Sequence, residues 1–292
     1  MTILLTNGGG YQHHNITIAY RGLPMSTYTN QLVSASFCIF LLVLPTLADY
    51  EVVFFDDFLG TEINADYWQI NNNTKHCSPC ELSLYLEKNV EVKDGNLVIT
   101  TMRETVIGGP SNEEFNYTSG WVVGKPTFYL GKFEVRAKLP PQTATGAWPA
   151  HWLMPKSDQC WPTGGEIDIM EATSNPWSYH IFGSYRWGVE CTEDKQILPG
   201  GTYPPLGEPL INWAEDYHIF SVEWTDTEMI FGVDGIDYEV KTSDEVIFPT
   251  YPMYFILDTA VSWYMPPGPN AIYPATHVID WVRVSQLPAH TD

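Results

Sequence analysis

Short runs in which apolar and polar residues alternate recur along the chain, and no window shows the 3.6-residue period of a long amphipathic helix. Glycine, proline and asparagine separate these runs, as they do at the turns between strands. The clearest runs are Asn89–Val92, Asn96–Thr100, Gly131–Leu139, His218–Trp224, Met229–Gly235 and His277–Val284. Many short strands with little helix bury their apolar faces by stacking, so the sequence predicts an all-β sandwich of two antiparallel sheets.

The first 48 residues differ in composition from the rest of the chain. They contain one charged side chain, Arg21, whereas all 35 acidic residues lie in 49–292. The apolar run over 36–48 is too short to span a bilayer comfortably, and it ends in small residues that suit cleavage after Ala48. We therefore predict that 1–48 is an N-terminal extension and signal peptide that is removed, and that 49–292 forms a single domain.

Export follows from this interpretation. Met25 starts a stretch of ordinary signal-peptide length ending at Ala48, so Met25 is a candidate initiator and 1–24 a further extension. An uncleaved membrane anchor is the alternative interpretation of the same apolar run. The sequons at Asn72 and Asn116 are candidate glycosylation sites, as expected for a secreted, extracellular glycoprotein.

The cysteine count agrees with an oxidising compartment. Cys38 would leave with the signal peptide, and Cys77, Cys80, Cys160 and Cys191 remain. An even number in a secreted chain predicts two disulfides, for which three pairings exist. We favour Cys77–Cys80 and Cys160–Cys191. A zinc site at the Cys-x-x-Cys pair is the alternative, but a second close pair of ligands is missing.

The charge balance limits the class of partner. The chain has 14 basic and 35 acidic residues and a net charge of −21, so it lacks the clustered cations that nucleic acid or an anionic membrane surface requires. An uncharged polysaccharide is compatible with this charge. The 11 tryptophans are flat apolar rings that suit both a sandwich core and the faces of sugars. We expect a monomer that does not bind nucleic acid or associate stably with a membrane.

Three acidic residues within 166–171 form the motif that points to chemistry. Glu166 and Asp168 share one face of a strand because side chains alternate with a period of two. Glu171 would point the other way in a regular strand, but one extra residue, a β-bulge near Ile169 and Met170, returns it to the same face. Glycoside hydrolysis needs one carboxylate nucleophile and one protonated carboxyl group. An intervening acid would keep their ionisation states apart.

A solvated strand face with three acids is the alternative interpretation. Crowded like charges cost stability on such a face. Trp161 and the pair Gly164-Gly165 lie just before the motif and are unusual on a plain surface. We therefore expect a catalytic cleft here, with Trp161 among its substrate-binding residues.

The chain resembles glycoside hydrolase family 16, in its laminarinase-like branch. The family motif E-[ILV]-D-x-x-E is matched over 166–171, in the longer form typical of that branch. The resemblance extends over 51–286, and further matches occur in order at 55–58, 131–137, 146–155, 217–224 and 278–284. It implies a β-jelly-roll sandwich with a concave glycan-binding cleft. It also implies retaining endo-hydrolysis of β-1,3-glucan or mixed-linkage β-1,3-1,4-glucan by a single catalytic domain, 49–292.

The resemblance also assigns roles by position. It makes Glu166 the nucleophile, Asp168 the assisting acid and Glu171 the acid/base. Trp148 and Trp152 match family aromatics near the cleft, so we expect both to bind substrate. The reaction requires no cofactor.

Some family members hold a structural calcium near the chain ends, and the matching positions here are Asp280 and Gly95. The resemblance therefore predicts a candidate calcium site at these two residues.

The chain departs from the family pattern at positions that commonly touch sugar. Cys80 and Trp121 stand where asparagine and arginine are usual, and Phe182 stands where histidine is usual. Asp258 replaces an asparagine. We expect Trp121 to contact substrate. His180 lies two residues before Phe182 and is a candidate for the missing polar contact.

Three other functions use the same fold. A non-catalytic β-1,3-glucan recognition protein would have lost the acids, which are intact here. A related hydrolase could act on another polysaccharide such as a sulfated galactan, although the acidic charge disfavours a polyanion. A transglycosylase uses the same covalent intermediate as a hydrolase.

Overall fold

The computed structural model describes residues 50–76, 80–172, 174, 179–191, 195–197, 202–205 and 208–288. All of them lie within one compact unit, Leu47–Asp292. None of the helices in these ranges has the length and apolar character needed to cross a membrane. The proposed extension and signal peptide, 1–48, and Cys77 lie outside the described residues, so their assignments stay predictions.

The regular secondary structure of the described residues is all strand except for one 3-10 turn at Glu87–Asn89. In chain order the strands are β1 (Glu51–Asp56), β2 (Trp68–Ile70), β3 (Ser83–Tyr85), β4 (Val90–Lys93), β5 (Asn96–Gly108), β6 (Glu113–Ser119), β7 (Trp121–Gly124), β8 (Gly131–Lys138), β9 (Ala147–Pro155), β10 (Glu166–Ala172), β11 (Ile181–Trp187), β12 (Lys195–Ile197), β13 (Thr202–Tyr203), β14 (His218–Trp224), β15 (Glu228–Val233), β16 (Ile236–Thr242), β17 (Met253–Val261) and β18 (Ala275–Gln286).

These strands form two sheets, which confirms the predicted all-β jelly-roll sandwich. The ten-stranded sheet has the order β16-β15-β14-β8-β18-β5-β6-β3, with β1 paired to β18 and β4 paired to β5. The eight-stranded sheet has the order β12-β11-β10-β9-β17-β7-β2, with β13 paired to β11. The described pairings are antiparallel except that of β3 with β6.

The core lies between the sheets because alternate residues of each strand point inward. The ten-stranded sheet contributes Phe133, Phe220 and Phe231 among its fully buried side chains. The eight-stranded sheet contributes residues such as Leu153 and Leu257. The opposite face of the eight-stranded sheet is therefore left to carry polar and aromatic side chains.

Strand β10 contains the predicted bulge. Its pairing with β11 shifts register between Asp168 and Glu171, and its pairing with β9 shifts between Asp168 and Met170. Ile169 and Met170 are both fully buried, so the extra residue is absorbed on the core side. The bulge thereby returns Glu171 to the face that carries Glu166 and Asp168.

The disulfide Cys160–Cys191 is present, as predicted. It joins the loop before β10 to the segment after β11. Because the two strands are antiparallel, the disulfide links them at one end of the pair. Cys80 is also disulfide-bonded. Because the predicted partner Cys77 lies outside the described residues, that pairing stays a prediction.

Candidate active site

A cleft of about 750 Å³ lies on the face of the eight-stranded sheet that is turned away from the core. Strands β9, β10, β11 and β17 form its floor. Its lining residues are His76, Cys80, Glu81, Trp148, Ala150, Trp152, Met154, Trp161, Glu166, Asp168, Glu171, Arg186, Asp258, Ala260 and Tyr264. Five of these side chains are acidic and one is an arginine, so any reaction here takes place among crowded carboxylates.

Glu166 lies at the start of β10 and has two polar contacts. Its Oε2 accepts a hydrogen bond of 2.7 Å from the indole Nε1–H of Trp161. Its Oε1 lies 3.3 Å from Nε of Arg186. Burial and the neighbouring Asp168 raise the pKa of Glu166, while Arg186 and the indole donor oppose that rise.

Asp168 is buried in the middle of the trio. It accepts a hydrogen bond from the hydroxyl of Ser184 through Oδ2. The same oxygen lies 3.3 Å from Nε of Arg186. Asp168 is thus held from the side of β11, between the other two acids.

Glu171 is almost completely buried, and its carboxyl group has weaker polar contacts than that of Glu166. Its Oε1 accepts a hydrogen bond of 2.9 Å from the indole Nε1–H of Trp148. Its Oε2 lies 3.9 Å from Nη2 of Arg186 and has no hydrogen-bond partner. Burial, then the charge of Asp168, raise the pKa of Glu171 to about 8.

These contacts make the two glutamates chemically different. Glu166 has a close cation and a donor on separate oxygens, and both stabilise its ionised form. Glu171 has a more distant cation and one oxygen without a donor, so the ionised form is less stabilised there. Burial raises the pKa of both glutamates well above the usual range, and the contacts are what distinguish them: Glu166 has the better-stabilised carboxylate, as a nucleophile requires, and Glu171 the less stabilised one, as an acid requires.

Asp258 on β17 is a fourth buried acid in the cleft. It accepts hydrogen bonds from Nε1–H of Trp152 at 2.7 Å and from the hydroxyl of Tyr85 at 3.1 Å. Burial raises its pKa to about 7, and the charge of Asp168 adds to the rise. The sequence marked this position as a departure from the family pattern, and the structure places it at the floor of the cleft.

Comparison with known protein families decides the assignment. The model of the family described as glycosyl hydrolases family 16 matches residues 81–283, more than half of the chain and the whole floor of the cleft. The chain belongs to glycosyl hydrolases family 16.

The similar proteins agree with this family. Glucan endo-1,3-beta-glucosidase A1 of Niallia circulans is 32% identical over 271 residues, which are 82% of this chain but 38% of that protein. Glucan endo-1,3-beta-glucosidase of Cryptopygus antarcticus is 30% identical over 223 residues, 75% of this chain and 77% of that protein. The solved catalytic domain of an endo-1,3-beta-glucanase (laminarinase) from Thermotoga petrophila RKU-1 matches with a TM-score of 0.71 and 30% identity, covering 83% of this chain and 100% of that one.

Three of the predicted substrate-binding residues of this family 16 chain line the cleft. Trp148 and Trp152 come from β9, and Trp161 comes from the loop held by the Cys160–Cys191 disulfide. Trp161 is 42% exposed and so presents a ring to solvent, whereas Trp152 is largely buried. Each of the three indoles donates its N–H to an acid of the cleft. Each indole thus stabilises one carboxylate of the cleft, and its contact with a glycan stays a prediction.

Trp121 and His180 are not among the lining residues. The ring of Trp121 packs edge-on against His76, with ring centroids 5.4 Å apart, and against Tyr85 at the same distance. His180 lies just before β11, and its Nδ1 is 2.7 Å from the carbonyl oxygen of Pro204. The structure therefore gives neither residue a place on the cleft surface, and their contacts with substrate stay predictions.

At the candidate calcium site, Asp280 and Gly95, the carboxylate of Asp280 already pairs with the guanidinium of Arg136. Asp280 accepts a hydrogen bond from Arg136, whose guanidinium lies over the ring of Tyr217 at 4.5 Å. A calcium ion takes about six to eight oxygen ligands. No group of three or more His, Cys, Asp or Glu side chains that could hold a metal occurs in the described ranges. The calcium site therefore stays a prediction from sequence.

Sequence reasoning missed Arg186 and Ser184, the two β11 residues that contact the acids. In the register of the two strands Glu166 pairs with Arg186, Asp168 with Ser184 and Glu171 with Phe182. The alternation that places His180 and Phe182 on one strand face continues to Ser184 and Arg186, so it could have indicated their face of β11 but not the acids that they contact.

Proposed function

We propose that this chain is a retaining endo-β-1,3-glucanase in which Glu166 is the nucleophile and Glu171 the acid/base. The observation that carries the proposal is the convergence of three carboxylates from one bulged strand on a single guanidinium, with a different indole donor on each glutamate. Retaining glycosidases need two carboxyl groups close together, one ionised and one protonated. The contacts of Glu166 and Glu171 support that division.

The first step forms a covalent intermediate. A carboxylate oxygen of Glu166 attacks the anomeric carbon and forms an ester bond, while the bond from that carbon to the glycosidic oxygen breaks. Glu171 gives its proton to the departing oxygen. Asp168, held by Ser184, lies between the two and contributes negative charge next to the developing positive charge of the sugar ring.

The second step hydrolyses the ester. Glu171, now a carboxylate, takes a proton from a water molecule, and the water oxygen attacks the anomeric carbon. The ester bond breaks, its electron pair returns to Glu166, and Glu171 is protonated again. Two displacements at one carbon retain the β configuration.

The cleft supports a neutral glucan as substrate. Its acids outnumber its single arginine, so an anionic polysaccharide would meet repulsion. Glucan endo-1,3-beta-glucosidases are among the similar proteins, which favours β-1,3 linkages. Because the chain covers 38% of one of them, the substrate remains a proposal.

Secretion is part of the same proposal. The Cys160–Cys191 disulfide agrees with an oxidising compartment. Asn72 and Asn116 are both exposed, as acceptors for N-linked glycans must be. We propose an exported, monomeric, glycosylated enzyme, and the mass and first residue of the protein recovered from the medium of expressing cells test this.

The decisive experiment measures reducing-sugar release from laminarin, lichenan, curdlan and agarose by residues 49–292, beside the variant Glu166→Gln. We expect release from laminarin that the variant lacks. Binding of laminarin without cleavage by the wild-type chain would contradict the proposal and favour a glucan recognition protein. Products longer than the starting oligosaccharide would indicate transglycosylation.

Rescue of alanine variants by azide distinguishes the nucleophile from the acid/base. With an activated β-glucoside, Glu166→Ala should be rescued by azide to give the α-glycosyl azide, because one displacement inverts the carbon. Glu171→Ala should give the β-glycosyl azide, because both displacements remain. Exchanged products would reverse the assignment.

A further inference from the structure

The guanidinium of Arg186 lies at the centre of the proposed catalytic site. We propose that Arg186 is a positioning residue that aligns the carboxylates of β10 and balances their negative charge through both chemical steps. This inference rests on the proposed function and adds a residue to it.

The geometry supports this role. Nε of Arg186 lies 3.3 Å from an oxygen of Glu166 and 3.3 Å from an oxygen of Asp168, and Nη2 lies 3.9 Å from Oε2 of Glu171. Strand pairing places the Cα of Arg186 opposite that of Glu166, so the side chain extends along the acid-bearing face of β10. A rigid planar fork is suited to holding several carboxylates in fixed relation.

Negative charge moves from Glu166 to Glu171 during the first step, and the contacts of Arg186 with both glutamates suit this movement. Before the first step Glu166 carries the negative charge and Glu171 is neutral. After it, Glu166 is an uncharged ester and Glu171 is the anion. A cation that touched Glu166 alone would stabilise the starting state more than the intermediate and would slow the step. Because Arg186 reaches both glutamates, its attraction follows the charge.

The other charged groups of the cleft increase the need for this cation. Glu81 and His76 face the site from the segment before β3, and Asp258 faces it from β17. Arg186 is the one lysine or arginine among the described residues that line the cleft. Its charge lowers the pKa of both Glu166 and Glu171 against the rise caused by burial.

A purely structural ion pair is the alternative, and kcat per folded molecule, measured together with the pH profile, separates the two. Arg186→Gln removes the cation, so both limbs of the kcat/KM profile should move upward by about one pH unit or more. We expect kcat to fall by about 100-fold. An ion pair that only stabilised the fold would lower the amount of folded enzyme and leave the kcat of the folded fraction unchanged.

Two further variants sharpen the test. Arg186→Lys keeps a cation but lacks the planar fork, so the limbs should stay near their wild-type positions while kcat falls by about 10-fold. It also serves if Arg186→Gln does not fold. Arg283→Gln is the matched control, since Arg283 pairs with Glu134 on the other sheet at 2.7 Å. It should move neither limb.

A second readout does not depend on activity. The loss of unfolding free energy in Arg186→Gln should be larger at high pH, where the carboxylates are charged, and should shrink as they become protonated. Wild-type enzyme inactive on every glucan, with this pH dependence intact, would overturn the proposed function alone. Active wild-type enzyme with unshifted limbs in Arg186→Gln would overturn the role of Arg186.

Discussion

Two tryptophans give the two glutamates that we propose as nucleophile and acid/base separate hydrogen-bond donors. Trp161 donates to Glu166 at 2.7 Å and Trp148 donates to Glu171 at 2.9 Å. A donor that bonds to a carboxylate stabilises its ionised form and lowers its pKa. Each indole therefore adjusts one glutamate, whereas Arg186 adjusts both.

Phenylalanine at either position should move one limb of the pH profile. Trp161→Phe removes the donor of Glu166, so the acidic limb of kcat/KM should move upward by about half to one pH unit. Trp148→Phe removes the donor of Glu171, so the basic limb should move upward by a similar amount. Phenylalanine keeps an apolar ring for the sugar, and the measurement is kcat/KM on laminarin against pH.

The two variants serve as controls for each other. Interacting carboxyls titrate as a pair, so each limb belongs to the pair rather than to one residue. The assignment therefore depends on which variant moves which limb. Equal movement of both limbs in both variants would contradict separate tuning.

The sequence could predict the acids and their indole neighbours but not their cation. Glu166, Asp168 and Glu171 are close along one strand, and side-chain period with one bulge suffices to place them together. Arg186 is distant in sequence and meets them through the pairing of β10 with β11. Side-chain alternation indicates the face on which a residue lies, but it does not identify the opposite residue on the next strand.

At the scale of elements, a glycine allows β11 to pack close to the opposite sheet. A Cβ added to Gly183 would lie 2.3 Å from Cδ1 and 2.8 Å from Cγ of Phe231, which is on β15 of the other sheet. The ring of Phe231 therefore occupies the space that a side chain at Gly183 would need. Ser184, the next residue of β11, holds Asp168, so a shift of this strand would also disturb that hydrogen bond.

Gly183→Ala should destabilise the protein by about 1–3 kcal/mol, because an overfilled core must shift one strand or one ring. Urea denaturation should show a lower midpoint at an unchanged slope. Catalytic activity of the folded variant should also fall, since Ser184 moves with the strand. Gly268→Ala is the control, because its nearest atom is Thr145 Oγ1 at 3.5 Å, and we expect a change within about 0.5 kcal/mol.

Phe231→Leu tests the cause. If the methyl group that Gly183→Ala introduces meets the ring of Phe231, the double variant should lose less stability than the sum of the two single variants. Strict additivity would show that the cost of Gly183→Ala arises elsewhere.

The elements themselves were largely predictable, and their pairing was not. The run Asn96–Thr100 predicted the start of β5, which continues to Gly108 because its later residues pair with β6. The bulge near Ile169 and Met170 was predicted from the spacing of the acids. The parallel pairing of β3 with β6 leaves no mark on side-chain periodicity and became visible only in the structure.

At the scale of the whole molecule, two buried histidines link the sheets. His151 on β9 and His277 on β18 are both fully buried, and their Nε2 atoms lie 2.9 Å apart. Nδ1 of His277 also lies 3.1 Å from the hydroxyl of Thr259. Burial lowers the pKa of His277 from 6.5 to about 3 and lowers that of His151 as well. The sandwich therefore depends on a neutral imidazole pair in its interior.

The pH dependence of stability should reveal this pair. Between about pH 6.5 and 3 the unfolded chain binds a proton at His277 that the folded chain does not, so the free energy of unfolding falls as the pH falls. The loss is about 1.4 kcal/mol per pH unit for one group. Glu171 acts in the opposite sense: its folded pKa of about 8 exceeds 4.5, so the folded state gains stability as the pH falls from 8 to 4.5.

His277→Gln isolates the histidine contribution from that of the carboxyls. The glutamine cannot charge, so the advantage of the wild-type protein should shrink by up to about 1.4 kcal/mol for each pH unit below about 6.5. Carboxyl groups common to both proteins cancel in the difference between their unfolding free energies. Urea denaturation of both proteins at about pH 7, 6, 5 and 4 measures it. A constant difference over this range would mean that His277 titrates alike in the folded and unfolded chains, and that acid weakens the sandwich through other groups.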